Sequence, residues 1–177
     1  EVKEELVGLG FKEMTGPLAE ISFFNSDALF MPQDHPARNF DETYFVNLTG
    51  NLEKYQKLVS EVKKTHESGG KSGGTGWQYV FDEKIAAKML LRTQGTALSA
   101  RKMATDVKIP GAYFAVARCY RPDVLDATHL VEFNQCEGIV LKEKLNFSNL
   151  LGLLSEFTKK ITGTDKIRFR PHYFPYT

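Results

Sequence analysis

Arg118-Cys119-Tyr120-Arg121-Pro122-Asp123 leads through a short polar stretch, Asp126-Ala127-Thr128-His129, into Glu132-Phe133-Asn134-Gln135-Cys136-Glu137-Gly138. The pattern is a strand that ends on an arginine, a turn, and a returning strand with polar residues at alternate positions. Side chains alternate between the two faces of a strand. His129, Gln135 and Glu137 are therefore predicted to share one face, and Val131 and Phe133 give that face partial burial. Arg121 and His129 then flank the loop at one mouth. A buried carboxylate calls for a cationic partner, and a guanidinium offers a planar fork of donors to phosphate oxygens. Together they suit ligands that are anionic at one end and cationic at the other. ATP plus an amino acid answers that description.

Working outward, residues 112–121 and 129–141 are predicted as the two arms of a long hairpin. The clearest helix follows it: Phe147, Leu150, Leu151, Leu154, Phe157 and Ile161 form an apolar stripe, with Asn146 or Ser148 to cap it and Gly163 to close it. Upstream, 88–93 reads as a strand that turns at Gly95 into a helix over 96–104, with Thr96 as its N-cap. Leu52, Tyr55, Leu58, Val59 and Val62 are spaced for one buried face of a helix over 51–66. Short strands are expected at 11–14, 21–24 and 43–46, a helix end over 2–9 closed by Gly10, and a loop over 31–41 around Pro32 and Pro36. Lys166, Arg168 and Arg170 alternate with Ile167 and Phe169, which predicts a half-buried strand with a solvated basic face. This mixed order, with hairpins and no regular strand–helix alternation, predicts an α+β fold with a largely antiparallel sheet.

A chain of 177 residues corresponds to one domain and buries roughly 70% of its unfolded surface. Its net charge of +1 excludes a strongly basic nucleic-acid surface as the dominant feature, while leaving room for a transient RNA contact. No apolar run reaches the roughly 20 residues of a membrane span, and no signal-peptide pattern opens the chain. Cys119 is expected to face the neighbourhood of Val131, short of Cys136, so a disulfide is not predicted and the cytoplasm is the natural compartment. Neither a Cys-x-x-Cys nor a clustered histidine pair is present, so no protein-built metal site is predicted. The glycine-rich run from Gly69 to Gly76 contains Gly-Lys-Ser, but Thr65 stands where a phosphate-cradling loop needs glycine, and no apolar strand precedes it. It reads as a surface loop. Asp34-His35 is assigned to loop structure, since adjacent residues rarely face each other and no nucleophile accompanies them.

The hairpin sequence RCYRPDVLDATHLVEFNQCEG, residues 118–138, resembles the second motif of class II aminoacyl-tRNA synthetases. Within them it is most similar to the alpha-subunit type of archaeal and eukaryotic phenylalanyl-tRNA synthetases. GFKEM (10–14), FFNSDALFMPQDHPARNFDETYFV (23–46), LLRTQGTALSAR (90–101) and RFRPHYFPYT (168–177) resemble the same family in the same order. The resemblance implies a class II synthetase-like antiparallel sheet flanked by helices, with residues 1–177 a single, partial catalytic domain. The family's third motif, a glycine-rich helix with a second ATP-binding arginine, is expected beyond Thr177. The implied activity joins phenylalanine and ATP into phenylalanyl-adenylate and transfers it to tRNA(Phe). The implied cofactors are ATP and Mg2+, and the implied partner is a beta subunit in an (αβ)2 assembly.

By the same resemblance, Arg121 holds the α-phosphate and His129 approaches the nucleotide phosphates, the two acting as the catalytic cations. The family's Arg-x-Glu triplet is here Arg121-Pro122-Asp123, so the ATP-binding acid Asp123 is one methylene shorter. Gln135 and Glu137 occupy the positions that bind the α-amino group of phenylalanine. The family's His-Thr-Ser or His-Thr-Thr, which contacts the amino acid, is here Gln94-Gly95-Thr96, so Gln94 and Thr96 are the expected substrate contacts. Two alternatives stand beside this reading. One is a non-catalytic synthetase-like paralogue that binds an amino acid, a nucleotide or a partner protein; the other is a synthetase for a different amino acid.

Overall fold

A computed structural model describes residues 1–105 and 107–173. The predicted hairpin is its longest β feature: strands Gly111–Tyr120 and Glu132–Leu141 pair antiparallel over ten residues each, from Gly111 opposite Leu141 to Tyr120 opposite Glu132. Lys12–Glu13 (β1) adds to the first of these in parallel. In a second three-stranded sheet, Ala19–Ile21 (β2) and Phe45–Thr49 (β3) flank Lys88–Leu91 (β4), both antiparallel to it. The hairpin strands are β5 and β6. The expected largely antiparallel sheet is present among the described residues as two three-stranded parts, antiparallel apart from the β1–β5 pair. A buried arginine joins them. Arg92 donates from Nε and Nη2 to the Arg118 carbonyl at 3.1 and 3.0 Å and from Nη1 to the Pro17 carbonyl at 3.1 Å. Its own carbonyl accepts Tyr120 N at 2.9 Å.

Among the described residues six α-helices surround the sheets: Val2–Gly8 (α1), Ser22–Asn25 (α2), Gln56–Ser68 (α3), Glu83–Ala86 (α4), Thr96–Met103 (α5) and Phe147–Thr162 (α6). The expected strand at 21–24 is therefore mostly α2. All four residues of that turn are buried, and wrapping Phe23 and Phe24 into the core on both sides outweighs their strand preference. Phe23, Phe24, Val59 and Phe81 form one core with Ala100 of α5, each large side chain contributing roughly 1.5–3 kcal/mol of burial.

The two faces of the hairpin are packed differently. Tyr113, Ala115, Ala117 and Cys119 of β5 meet Met14 and Leu98, with Phe133, Ile139 and Leu141 of β6 alongside. Cys119 lies opposite Phe133 and Cys136 opposite Val116; both cysteines are free. On the reverse face Phe114 packs with Leu6 and Phe11, and Leu153 and Phe157 of α6 lean on them. α6 carries its expected caps: the Asn146 and Asn149 side chains serve each other's backbone N–H, and Gly163 closes the helix with φ +70°. Its apolar stripe is only partly covered, however, with Phe147 72% and Leu150 49% exposed.

The basic stripe of Lys166, Arg168 and Arg170 forms no strand. Among the described residues nothing pairs with it, and alternation alone supplies no ladder partner. The last four residues of the quoted 168–177 stretch lie outside the described residues. Gly69 to Gly76 is a surface loop, as expected, folded back on the end of α3 by Gly69 N to Thr65 O at 2.9 Å and Trp77 N to His66 O at 2.6 Å. No helix among the described residues is long and apolar enough to cross a membrane.

Candidate functional site

β6 presents Phe133, Gln135 and Glu137 on its half-buried face, as its alternating burial requires. Opposite them in register stand Ala117, paired with Gln135, and Ala115, paired with Glu137. These small residues leave space above the sheet, and the start of α5 fills it. Gly95, not Thr96, is the N-cap residue. A Cβ at Gly95 would lie 3.3 Å from Glu137 Cβ and 3.4 Å from Ala117 Cβ, so the helix start packs closely on the sheet. Thr96 is thereby freed for another task. Its Oγ1 donates to Glu137 Oε2 at 3.1 Å, Ser99 Oγ donates to Oε1 at 3.0 Å, and Gln135 Nε2 donates to Oε2 at 3.3 Å. Gln135 Oε1 in turn accepts Gly95 N at 3.2 Å. Glu137 is thus a carboxylate oriented by three donors, none of them cationic.

A second polar centre begins at the other end of the same turn. Thr93 N donates to Asn25 Oδ1 at 3.1 Å, Asn25 Nδ2 to Thr93 Oγ1 at 2.9 Å, and Gln94 Nε2 to the Asn25 carbonyl at 2.8 Å. Thr93, Gln94, Arg121 and Asp123 line a cleft of about 200 Å³ together with Ser26, Met31, Ala37 and Glu42. Arg121 Nε donates to the Thr93 carbonyl at 3.2 Å, and its guanidinium carbon lies 5.1 Å from the Phe133 ring centroid. Among the described residues its terminal Nη groups take no hydrogen bond. The cation is held by one edge and stacked by its face, and the other edge looks into the cleft.

His129 is not on the strand. β6 begins at Glu132, and the hairpin closes before it, with Arg121 N donating to Val131 O at 3.0 Å. The expected shared face with Gln135 and Glu137 is therefore corrected: His129 belongs to the loop. Asp126 organises that loop by accepting from Thr128 N at 2.7 Å, His129 N at 2.8 Å and His129 Nδ1 at 2.9 Å. These bonds hold the Asp126 carboxyl well below the usual range, the Thr128 backbone N–H contributing most, and the Asp126 side chain raises His129 above its ordinary value.

The family model for the class II core domain of tRNA synthetases (F) matches residues 1–177. The chain belongs to the class II tRNA synthetase core family. Phenylalanine–tRNA ligase alpha subunits are similar to this class II core: that of Thermococcus kodakarensis is 47% identical over 180 residues, covering 100% of this chain and 36% of the relative. That of Treponema pallidum is 48% identical over 177 residues, covering 99% and 32%. The chain thus spans about a third of the length of the curated relatives it matches. The crystal structure of pyrrolysyl-tRNA synthetase from Desulfitobacterium hafniense aligns with a TM-score of 0.56 at 16% identity, over 92% of this chain and 44% of that one, a likeness of fold.

In this class II core the predicted residues other than His129, which stays with Asp126 in the hairpin loop, fall into two adjoining groups. Gln135, Glu137 and Thr96 meet, and Arg121, Asp123 and Gln94 share the cleft; the turn from Thr93 to Thr96 joins them. Ser99 is the member that sequence reading missed. It sits one helical turn after Thr96, and that i, i+3 spacing was the available signal. Asn25 also escaped notice, being 68 residues from the Thr93 it fixes. Asp34-His35 proves to be loop structure, His35 Nδ1 accepting Ala37 N at 3.1 Å at the start of a short turn.

Proposed function

We propose that this chain is the catalytic core of a phenylalanine–tRNA ligase alpha subunit, activating phenylalanine with ATP and passing it to tRNA(Phe). One observation carries the reading. A donor-oriented carboxylate and a half-engaged arginine stand at opposite ends of a single four-residue turn, as a substrate with an ammonium and a phosphate-bearing co-substrate require. Glu137 and Gln135 take the α-ammonium, and Thr96 and Ser99 fix the carboxylate that receives it. The cleft is smaller than the roughly 300–1,000 Å³ of a full ligand pocket, so it suits the phosphates rather than the whole nucleotide.

In the proposed step the phenylalanine carboxylate oxygen attacks the α-phosphorus, a new P–O bond forms, and pyrophosphate leaves with the electrons of the broken bond. No side-chain nucleophile is needed, since the substrate supplies its own and the protein supplies alignment. Arg121 meets the charge that builds on the equatorial oxygens, and Asp123 holds the nucleotide beside it. His129, raised by Asp126, serves as a second cation for the phosphates. Mg2+ is held mainly by substrate phosphates plus one or two carboxylates in such sites. Glu42 and Asp123 in the same cleft fit that need. The proposal includes a cytoplasmic setting and a beta subunit in an (αβ)2 assembly; the alpha-subunit names of the relatives support the partner subunit.

The test is amino-acid-dependent ATP–pyrophosphate exchange with phenylalanine, tyrosine, serine and leucine. Phenylalanine is expected to stimulate it, and Arg121→Ala to reduce it by about 10²–10³-fold. Stimulation by another amino acid would keep the mechanism and discard the substrate. A folded chain inert with all four means that it does not activate an amino acid alone, as a truncated catalytic core or a non-catalytic paralogue would not.

A further inference from the structure

Behind the cleft lies a buried polar cluster that the proposed chemistry does not use. Asp27 and Arg38, with side chains 0% and 6% exposed, close the segment between them: Nη1 donates to Oδ1 at 2.9 Å and Nη2 to Oδ2 at 3.3 Å. Arg38 also donates to the Met31 carbonyl at 3.0 Å and to Ser22 Oγ at 3.0 Å. Gln33 Nε2 donates to Asp27 Oδ1 at 3.1 Å, and Thr43 Oγ1 to the Ala37 carbonyl at 3.0 Å. Ser26, Met31 and Ala37, which line the Arg121 cleft, are thus neighbours of the cluster in sequence or bonded to it.

His66, fully buried near the end of α3, reaches this segment from outside. Its Nε2 lies 2.8 Å from the Asp27 carbonyl and its Nδ1 2.7 Å from the Tyr79 hydroxyl. A carbonyl has no proton to give, so Nε2 donates and Nδ1 of the neutral ring accepts from Tyr79. The Tyr79 oxygen accepts Gln33 N at 3.2 Å. The proton direction is therefore set along the whole chain: Gln33 N–H to Tyr79, Tyr79 O–H to His66, His66 Nε2–H to Asp27. Phe30, Tyr79 and Phe81 rings enclose the imidazole at 5.1, 6.0 and 5.4 Å. The charged groups that act on it are Asp27 and Arg38; burial outweighs Asp27 and lowers the ring's pKa.

We infer that the Asp27–Arg38–His66–Tyr79 cluster positions the wall that residues 26–42 lend to the Arg121 cleft, and does so with His66 as the neutral Nε2–H tautomer. Its functional meaning rests on the proposed phosphate role of that cleft. A second proton on the ring makes Nδ1 a donor as well, so Tyr79 has to turn its O–H away and accept, which reverses the proton order between α3 and the segment while the Nε2–H bond to Asp27 stays. These are positioning residues, remote from any reacting atom.

Amide hydrogen exchange and ligand titration on the chain and on Tyr79→Phe test it. The variant is expected to speed exchange across 26–42, leave 111–141 at the wild-type rate, and weaken ATP binding about tenfold with phenylalanine binding unchanged. Gln33→Ala, at the half-exposed rim, is the second variant and is expected to loosen the same segment with the remaining fold intact. Unchanged exchange in 26–42 for both variants, equal loss of both ligands, or a ring-nitrogen NMR spectrum placing the His66 proton on Nδ1 overturns the inference. A wild-type chain that binds no ATP but shows the expected exchange pattern sinks the proposed function and leaves the positioning claim standing.

Discussion

Asp27 with His66 in the interior and Asp126 with His129 at the hairpin tip set the same two chemistries in opposite surroundings. In the interior, burial is the largest influence on both groups: it pushes Asp27 up against the pull of Arg38 and pushes His66 down. At the tip, solvent removes that penalty, and hydrogen bonding decides instead, lowering Asp126 and raising His129. Burial thus disfavours the charged form of one imidazole, and the bond to Asp126 favours the charged form of the other. The first suits holding a loop. The second suits meeting a phosphate.

The strongest way to break this comparison is Asp27→Asn. It leaves the buried Arg38 without its counter-charge while keeping the shape of the site, and is expected to destabilise the chain by about 3–5 kcal/mol in denaturant unfolding. A loss below about 1 kcal/mol would mean the interior pair is solvated and the contrast is false. NMR titration of the two histidine rings sharpens the comparison with a smaller effect. His66 is expected to titrate below and His129 above the ordinary ~6.5, with Asp126→Asn returning His129 toward it. Because the folded His66 binds its proton later than the unfolded chain, its contribution to stability is complete above about pH 6.5 and declines as the pH falls toward the folded pKa. The ring itself is the better readout than a melt, since the raised pKa of Asp27 acts with opposite sign at lower pH.

What was legible in the sequence was what local spacing encodes. Asn146 and Gly163 bracket a helix because capping is settled within a few residues. Gln135 and Glu137 share a face because a strand alternates. The extent of that strand was less legible. Period two was carried past Glu132 to His129, where Asp126 instead ties the backbone into a turn. Ile21 to Phe24 read as a strand from composition, and only tertiary burial on all sides makes Ser22–Asn25 a helix. The Asp27 cluster lay beyond local reading altogether, since its bonds span 11 residues to Arg38 and 39 to His66. A buried network assembled across such separations leaves no periodic trace.

The central claim is a division of labour across the turn from Thr93 to Thr96, and calorimetric titration of ATP and phenylalanine, each separately, tests it most directly on wild type, Arg121→Ala and Glu137→Gln. Loss of a charged partner in such a site costs about 2–5 kcal/mol, so each variant is expected to lose its own ligand by about 30-fold or more. The predicted result is crossed: Arg121→Ala weakens ATP and spares phenylalanine, while Glu137→Gln weakens phenylalanine and spares ATP. Variants that weaken the same ligand, or weaken both equally, would contradict the account.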